Sequence, residues 1–139
     1  SKRVHAARLG QNIARFPRSH TIPVHEMSIV QALIEQVEAE VEKSGQPGRV
    51  VGLDLVVGRL SGVHVDSIRF AHEILAPGTI LEGSILRISE PHAYSDCREC
   101  GAREAIEELS MYCPRCGSGE IVIDGGRDLV LQSIELEQV

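Results

Sequence analysis

The chain has few aromatic residues and no long apolar run, and both absences narrow what it can be. Its 139 residues include two Phe, two Tyr and no Trp, although the apolar fraction of 42% is ordinary for a globular protein. No apolar segment approaches the roughly 20 residues that a membrane-spanning helix needs. No segment has the order of charged, apolar and small residues of a signal peptide. We therefore expect a globular protein of the cytoplasm that does not contact membranes.

Acidic residues are absent from the first 23 positions, which contain five Lys and Arg. The rest of the chain carries nine basic against 20 acidic side chains. Because affinity for nucleic acids rests largely on Lys and Arg contacts with phosphate, this acidic body argues against nucleic-acid binding. We expect residues 1–23 to be a basic extension without a fold of its own. It is expected to be disordered, or not to belong to the native protein if translation starts at position 24.

Regular hydrophobic patterns begin after position 24. Apolar residues recur at helical spacing from Val30 to Val41, and the helix is predicted to stop before Gly45. The segment Val24-His25-Glu26-Met27-Ser28-Ile29 lies immediately before this predicted helix. Alternating apolar residues then predict a strand that ends at Val57.

A second helix is predicted to start at Asp66, which is a good N-cap residue. Its inner face is expected to consist of four apolar residues: Ile68, Ala71, Ile74 and Leu75. The run Ala76-Pro77-Gly78 is expected to end it. Two further strands are predicted over residues 85–89 and 129–136.

These elements predict an α+β fold, a small three-stranded sheet with two helices on one face. They belong to what we call the main domain, residues 24–92 with 127–139. The insert, which we define as residues 93–126, separates the last two strands and contains all four cysteines. It has too few apolar residues for a core of its own, so we expect its order to depend on a metal.

The four cysteines form two C-x-x-C pairs, Cys97 with Cys100 and Cys113 with Cys116, with twelve residues between the pairs. Two such turns facing each other supply four thiolates in a tetrahedron, the closed coordination of structural Zn²⁺. The alternatives are two disulfides, a redox-active pair, and a single iron in a rubredoxin-like site. The spacing favours one structural zinc ion in a zinc-ribbon-like knuckle. Because this site uses every cysteine and no glycine-rich phosphate loop is present, we expect no enzymatic activity.

Several segments occur together in a recognisable order. After the His-Glu pair come Val-Gly-Arg-Leu-Ser-Gly-Val and Leu-Ala-Pro-Gly-Thr-Ile-Leu-Glu-Gly-Ser, then the cysteine motif and a final Ile-Glu-Leu. From position 24 onward the chain resembles the HypA/HybF family of hydrogenase maturation factors, which are nickel metallochaperones. Members of this family begin Met-His-Glu, whereas this chain has Val24 in place of the Met and 23 residues before it.

The resemblance implies a second metal besides zinc. On the family's pattern His25 is a ligand of a transferable Ni²⁺, and Glu26 adjusts the site. Glu26 either adds a carboxylate ligand or simply interacts with the positive end of the following helix. An imidazole nitrogen is a donor that suits nickel. His64 lies close to a position where the family sometimes has an acidic residue near the nickel site. His92, at the boundary of the insert, is interpreted as a surface residue.

The same resemblance implies a function and partners. The protein is expected to deliver nickel for assembly of the active site of a nickel–iron hydrogenase. The implied partners are the GTPase HypB and the large-subunit precursor of the hydrogenase, and the protein itself is expected to be a monomer or homodimer. The alternative is a zinc-ribbon adaptor that binds a protein or a nucleic acid and uses no second metal.

Overall fold

The computed structural model describes residues 2–4, 24–45 and 48–137, and the first described side chain is that of Glu26. Within these ranges the chain forms two helices and seven strands. In chain order they are β1 (Lys2–Val4), α1 (Val24–Ser44), β2 (Arg49–Val57), α2 (Val65–Leu75), β3 (Ile85–Ser89), β4 (Ala93–Cys97), β5 (Arg103–Ile106), β6 (Ile121–Asp124) and β7 (Leu129–Glu137).

The larger of two sheets consists of three strands of the main domain together with β1, and it has the strand order β1-β7-β2-β3. Strand β2 is parallel to β3, with Leu53 opposite Leu86, and antiparallel to β7, with Leu53 opposite Ile134. Parallel neighbours need a long crossover connection, and α2 provides it. The predicted α+β class is confirmed, since the three expected strands are neighbours in one sheet.

Strand β1 widens this sheet beyond the three strands that we expected. Lys2–Val4 pair antiparallel with β7, with Arg3 opposite Glu135. We expected no regular structure in residues 1–23, and this short segment departs from that expectation. The physical reason is that the edge of a sheet offers unpaired backbone groups to any extended segment beside it. Residues 5–23 lie outside the described residues.

The core lies between the helices and the inner face of the larger sheet. One cluster of buried apolar side chains joins α1, α2, β2, β3 and β7. Its largest fully buried members are Ile29, Leu33, Leu53, Leu55, Ile68, Leu81, Leu131 and Leu136. Each such side chain contributes about 1.5–3 kcal/mol by its removal from water. The main domain therefore has a core that can hold it together without a metal.

Both helices differ from the sequence prediction at their first residues. Helix α1 begins at Val24, so the His-Glu pair lies in its first turn rather than before it. The N-cap of α2 is His64, which keeps an extended conformation, and Asp66 follows in the first turn of the helix. There a carboxylate still interacts favourably with the positive end of the helix.

The inner face of α2 is narrower than the sequence predicted. Ile68 and Ala71 are buried, whereas Ile74 is 50% exposed. The helix packs through residues that share one side of its axis, and Ile74 lies beside that stripe rather than on it. No helix within the described ranges is both long and apolar enough to cross a membrane.

The insert contains the second sheet, with strand order β5-β4-β6 and antiparallel pairing throughout. Tyr94 of β4 lies opposite Ala105 on one side and Asp124 on the other. The buried apolar residues of the insert are few: Ala93, Cys97, Ile106 and Cys113. Two of these four are cysteines of the predicted zinc site, so little apolar packing other than that of the cysteines lies inside the insert.

Candidate metal centres

The structure brings the four cysteines of the insert into one cluster. Their sulfur atoms all lie within 4.8 Å of one another, with Cys97 Sγ 3.6 Å from Cys116 Sγ and Cys100 Sγ 3.7 Å from Cys113 Sγ. Tetrahedral Zn–S bonds of about 2.3 Å place sulfur atoms about 3.8 Å apart. The two sulfur–sulfur distances agree with this value, and all four sulfur atoms are close enough together to bind one zinc ion.

Each C-x-x-C pair forms a turn with the same hydrogen bonds. The carbonyl of Cys97 accepts a bond from Gly101 N–H, and the carbonyl of Cys113 accepts one from Gly117 N–H, at 3.1 and 2.9 Å. Both glycines have positive φ angles, 73° and 77°, which other residues adopt only with strain. The glycine after each pair thus closes the turn and directs both sulfurs toward one point.

Backbone N–H groups inside the turns stabilise negative charge on sulfur. The amides of Cys116 and Arg115 point at Cys113 Sγ, at 3.5 and 3.4 Å. These two contacts, together with hydrogen bonds from the Cys100 and Cys116 thiols, lower the pKa of the Cys113 thiol to about 6. In the metal-free cluster the contacts with Cys97, Cys100 and Cys113 raise the pKa of the Cys116 thiol to about 12, so Cys113 is the first of these two thiols to lose its proton. Because the thiolate is the form that binds a metal, Cys113 is the sulfur of the cluster best prepared for a cation.

The donor set fits structural zinc. Four thiolates complete a tetrahedral shell and leave no position for a water molecule or substrate, as in zinc sites that stabilise folds. The sulfur pairs are too far apart for disulfide bonds, whose length is about 2.05 Å, and all four cysteines are free thiols.

Glu26, in the first turn of α1, is the described residue of the predicted nickel site. Its side chain is 8% exposed, and Oε1 accepts a 3.3 Å hydrogen bond from the backbone N–H of His64. The other oxygen, Oε2, is buried and has no hydrogen-bond partner among the described residues. A buried, unpaired carboxylate oxygen is unfavourable unless a cation or a donor faces it. The side chain of His25 lies outside the described residues.

The contact between Glu26 and His64 joins the start of α1 to the start of α2. The imidazole of His64 turns toward its own helix, with Nδ1 3.3 Å from Ser67 Oγ. His92 lies elsewhere, at the base of the insert, with Nε2 2.9 Å from Glu107 Oε1. The structure therefore brings His64 to Glu26 and places His92 with a carboxylate of the insert rather than with either predicted metal site.

An ion pair between the main domain and the insert was not predicted from the sequence. Arg59 Nη1 donates to both carboxylate oxygens of Glu107, at 3.2 and 3.1 Å. The two residues are 48 positions apart, and both lie where the chain has no hydrophobic period. A lone Arg and a lone Glu carry no signal from which this pairing could have been found.

A cavity of about 370 Å³ lies beside α2 and β3, lined in part by Arg69, His72, Ser84 and Leu86. His72 Nε2 is 3.1 Å from Ser84 Oγ. Burial lowers the pKa of His72, and the nearby charge of Glu73 opposes this only in part. The residues that line the cavity include none of the predicted metal ligands.

An α+β domain that carries a four-thiolate insert and a buried carboxylate at a helix start defines a metal-binding protein. Residues 24–136 match the family described as "Hydrogenase/urease nickel incorporation, metallochaperone, hypA". The chain belongs to the HypA family, as its sequence motifs indicated.

Individual relatives agree with this membership. The "Hydrogenase maturation factor HypA" of Chlorobaculum tepidum is 39% identical over 114 residues, which are 82% of this chain and 100% of the relative. The protein of the same name from Prosthecochloris aestuarii is 35% identical over the same shares of the two chains. Among solved structures, the Ni metallochaperone HypA from Helicobacter pylori is 23% identical, with a TM-score of 0.56 over 82% of this chain and 98% of that one. This structural likeness supports the fold.

Proposed function

We propose that the protein binds Ni²⁺ at the start of α1, through His25 with Glu26 beside it, and passes the ion to a hydrogenase under assembly. The observation that carries this proposal is the buried Glu26 carboxylate, whose Oε2 has no hydrogen-bond partner among the described residues. A cation next to the carboxylate would compensate its negative charge. Glu26 directly follows His25 in the first turn of α1, which places the backbone of both residues at the same end of the helix.

The chemistry of these side chains suits a carrier. Imidazole nitrogen and carboxylate oxygen are donors that nickel accepts, and neither holds it as strongly as a set of thiolates holds zinc. If the chain began with the residue before His25, the free terminal amine of that residue could close a chelate ring around nickel. A chain with further residues before Val24 has no free amine at that position. The ion is thus the cargo of the α1 site, and zinc has the structural role in the insert.

The proposed recipient is the large-subunit precursor of a nickel–iron hydrogenase, and the proposed assisting partner is the GTPase HypB. Support comes from the family description, which names nickel incorporation into hydrogenase or urease, and from the relatives called hydrogenase maturation factors. In this function the protein works in the cytoplasm and catalyses no reaction of its own.

A protein-interaction adaptor without nickel is the second candidate, and one observation favours it. Three large apolar side chains of the insert are well exposed: Leu109, Met111 and Tyr112. Exposed apolar groups that lie close together are typical of protein interaction sites. Nickel binding discriminates the two candidates, because the adaptor needs none.

Calorimetric nickel titration of zinc-loaded protein tests the proposal. The proteins compared are the full chain, a version that begins Met-His-Glu in place of residues 1–24, and His25→Ala and Glu26→Gln in that shorter version. We expect one nickel per chain in the shorter version, no specific binding in His25→Ala, and binding about 10- to 100-fold weaker in Glu26→Gln.

Glu35→Gln is the matched control, because Glu35 is an exposed acid on the same helix. It should leave the nickel affinity unchanged. Equal weak binding by all variants would contradict a nickel site at the start of α1 and leave the adaptor function.

A further inference from the structure

The segment of residues 58–64 connects β2 to α2 and passes the base of the insert. Two segments connect the insert to the main domain, one between β3 and β4 and one between β6 and β7. The backbone of residues 58–64 forms hydrogen bonds with both. Arg59 N–H donates to the carbonyl of Pro91 at 3.1 Å, and Leu60 N–H donates to the carbonyl of Gly126 at 2.6 Å. The approach is so close that a Cβ on Gly58 would lie 2.3 Å from Gly126. This segment is therefore part of the junction between the main domain and the insert.

The side chain of Arg59 extends the junction into the insert itself. Its Nε–H donates to the carbonyl of Glu90 at 3.1 Å, and its Nη1 reaches Glu107, just after β5. Glu107 also contacts His92 Nε2 at 2.9 Å. The Arg59 guanidinium thus links its own loop to the connection between β3 and β4, through Glu90, and to the residue after β5, Glu107. A planar group with several fixed donors is suited to such bridging.

The far end of the same segment lies at the proposed nickel site. His64 N–H donates to Glu26 Oε1, and Glu26 is next to His25. His64 is five positions after Arg59, and the backbone near Arg59 is held by hydrogen bonds to Pro91 and Gly126. A shift of the insert relative to Arg59 can therefore reach Glu26 through a short stretch of backbone and the hydrogen bond from His64 N–H to Glu26 Oε1.

We propose that Arg59 is a positioning residue that sets the orientation of the insert relative to the main domain and, through residues 60–64, the geometry of Glu26. This inference rests on the proposed function, because its second half requires nickel at the start of α1. Loss of the guanidinium leaves the backbone bonds in place but allows the insert to turn about its two connections. Glu107 then no longer fixes its position, and the His64 end of the segment relaxes.

The test compares four zinc-loaded variants with the parent chain: Arg59→Ala, Arg59→Lys, Glu107→Gln and Arg103→Ala. Arg103 is the matched control, since it also bridges two carboxylates, Asp96 at 2.6 Å and Asp124 at 3.0 Å, but entirely within the insert. Residual dipolar couplings of backbone amides in the full chain report the relative orientation of the two parts. Calorimetry reports the nickel affinity with the same substitutions made in the version that begins Met-His-Glu, where nickel binding is expected.

In Arg59→Ala we expect the couplings of the insert and of the main domain to fit different alignment tensors, while the parent fits one. Nickel binding should weaken about three- to tenfold, and the amide signals of Glu26 and His64 should shift. Glu107→Gln should show the same changes to a smaller degree, and Arg59→Lys should restore part of the parent behaviour. Arg103→Ala should resemble the parent in every readout.

The outcomes separate this inference from the proposed function. If the Met-His-Glu version binds nickel but Arg59→Ala and Arg103→Ala agree with their parents in affinity and in couplings, the positioning role is wrong and the nickel function stands. If the parent and its Met-His-Glu version bind no nickel, the proposed function is wrong, and with it the nickel half of this inference. A changed orientation with unchanged nickel affinity would overturn the link through residues 60–64.

Discussion

The main domain and the insert bury very different sets of side chains. In the main domain, 17 of the described residues are buried and apolar and form one cluster between two helices and a sheet. In the insert the buried apolar residues are four, and two of them are the cysteines Cys97 and Cys113. The main domain is held by packing of apolar surface, whereas the insert is expected to depend on a metal at its cysteine cluster. Two neighbouring parts of one chain can therefore be destabilised by different agents.

The largest expected effect is the loss of ordered structure in the insert when zinc is removed, and it tests the comparison between the two parts most directly. Cys113→Ser should abolish zinc binding and the ordered structure of the insert, because structural zinc contributes about 10–16 kcal/mol in small zinc-binding peptides. The main domain should stay folded. Zinc content per chain and residue-resolved hydrogen exchange measure both results.

Met111→Ala is the control for zinc removal, since Met111 belongs to the same insert and is 79% exposed. It should retain one zinc per chain and normal amide protection. Loss of protection throughout the main domain of Cys113→Ser would show that the two parts fold as one unit.

The second effect is a loss of stability in the main domain. Leu33 is fully buried in α1, and Leu33→Ala removes atoms that the surrounding core cannot fully replace. We expect the free energy of unfolding of the main domain to fall by about 2–5 kcal/mol in urea titrations, while folded molecules keep one zinc per chain.

Leu109→Ala, in an exposed position of the insert, should change the same free energy by no more than about 0.5 kcal/mol. Equal losses in Leu33→Ala and Leu109→Ala would contradict the view that apolar packing is concentrated in the main domain.

The third and smallest effect concerns acid, which acts on different groups in the two parts. In the main domain, burial lowers the pKa of His72 below its usual value near 6.5. As the pH falls below 6.5, the unfolded chain takes up this proton before the folded protein does, so the free energy of unfolding decreases. The free energy of unfolding stops decreasing once the pH is below the pKa of His72 in the folded protein. Well above pH 6.5, His72 is neutral in both states and does not affect this free energy.

Urea titrations at pH 8 and pH 5.5 measure this effect through a main-domain probe. His72→Gln should lose less stability between the two pH values than the parent does, because the substitution removes the titrating group. The same loss in both proteins would mean that His72 does not contribute. In the insert, by contrast, acid acts by protonating thiolates and releasing zinc.

Most of the main domain could be predicted from the sequence because its elements follow simple periods. Helical spacing identified the inner face of α1, and β3 occupies the predicted residues 85–89. The C-x-x-C spacing predicted the sulfur cluster because each pair is closed locally, by a glycine four residues after its first cysteine.

What the sequence pattern missed depends on contacts between distant residues. Helix α2 begins after His64 rather than at Asp66, and the backbone N–H of His64 is held by Glu26, 38 residues earlier. The pairing of Arg59 with Glu107 likewise joins two irregular segments. Strands β4, β5 and β6 have only four or five residues each. Apolar and polar residues do not alternate clearly along their sequences, so hydrophobic periodicity could not identify them.

The two connections of the insert run side by side at its base. Pro91 and Gly126 accept hydrogen bonds from the consecutive residues Arg59 and Leu60, and a Cβ on Gly126 would lie 2.5 Å from the backbone nitrogen of Ala93. A segment whose ends meet in this way can be removed and the gap closed by a short turn, since such a closure requires little loop entropy. The insert is for the same reason a transplantable module, suited to any surface hairpin whose strand ends are similarly close.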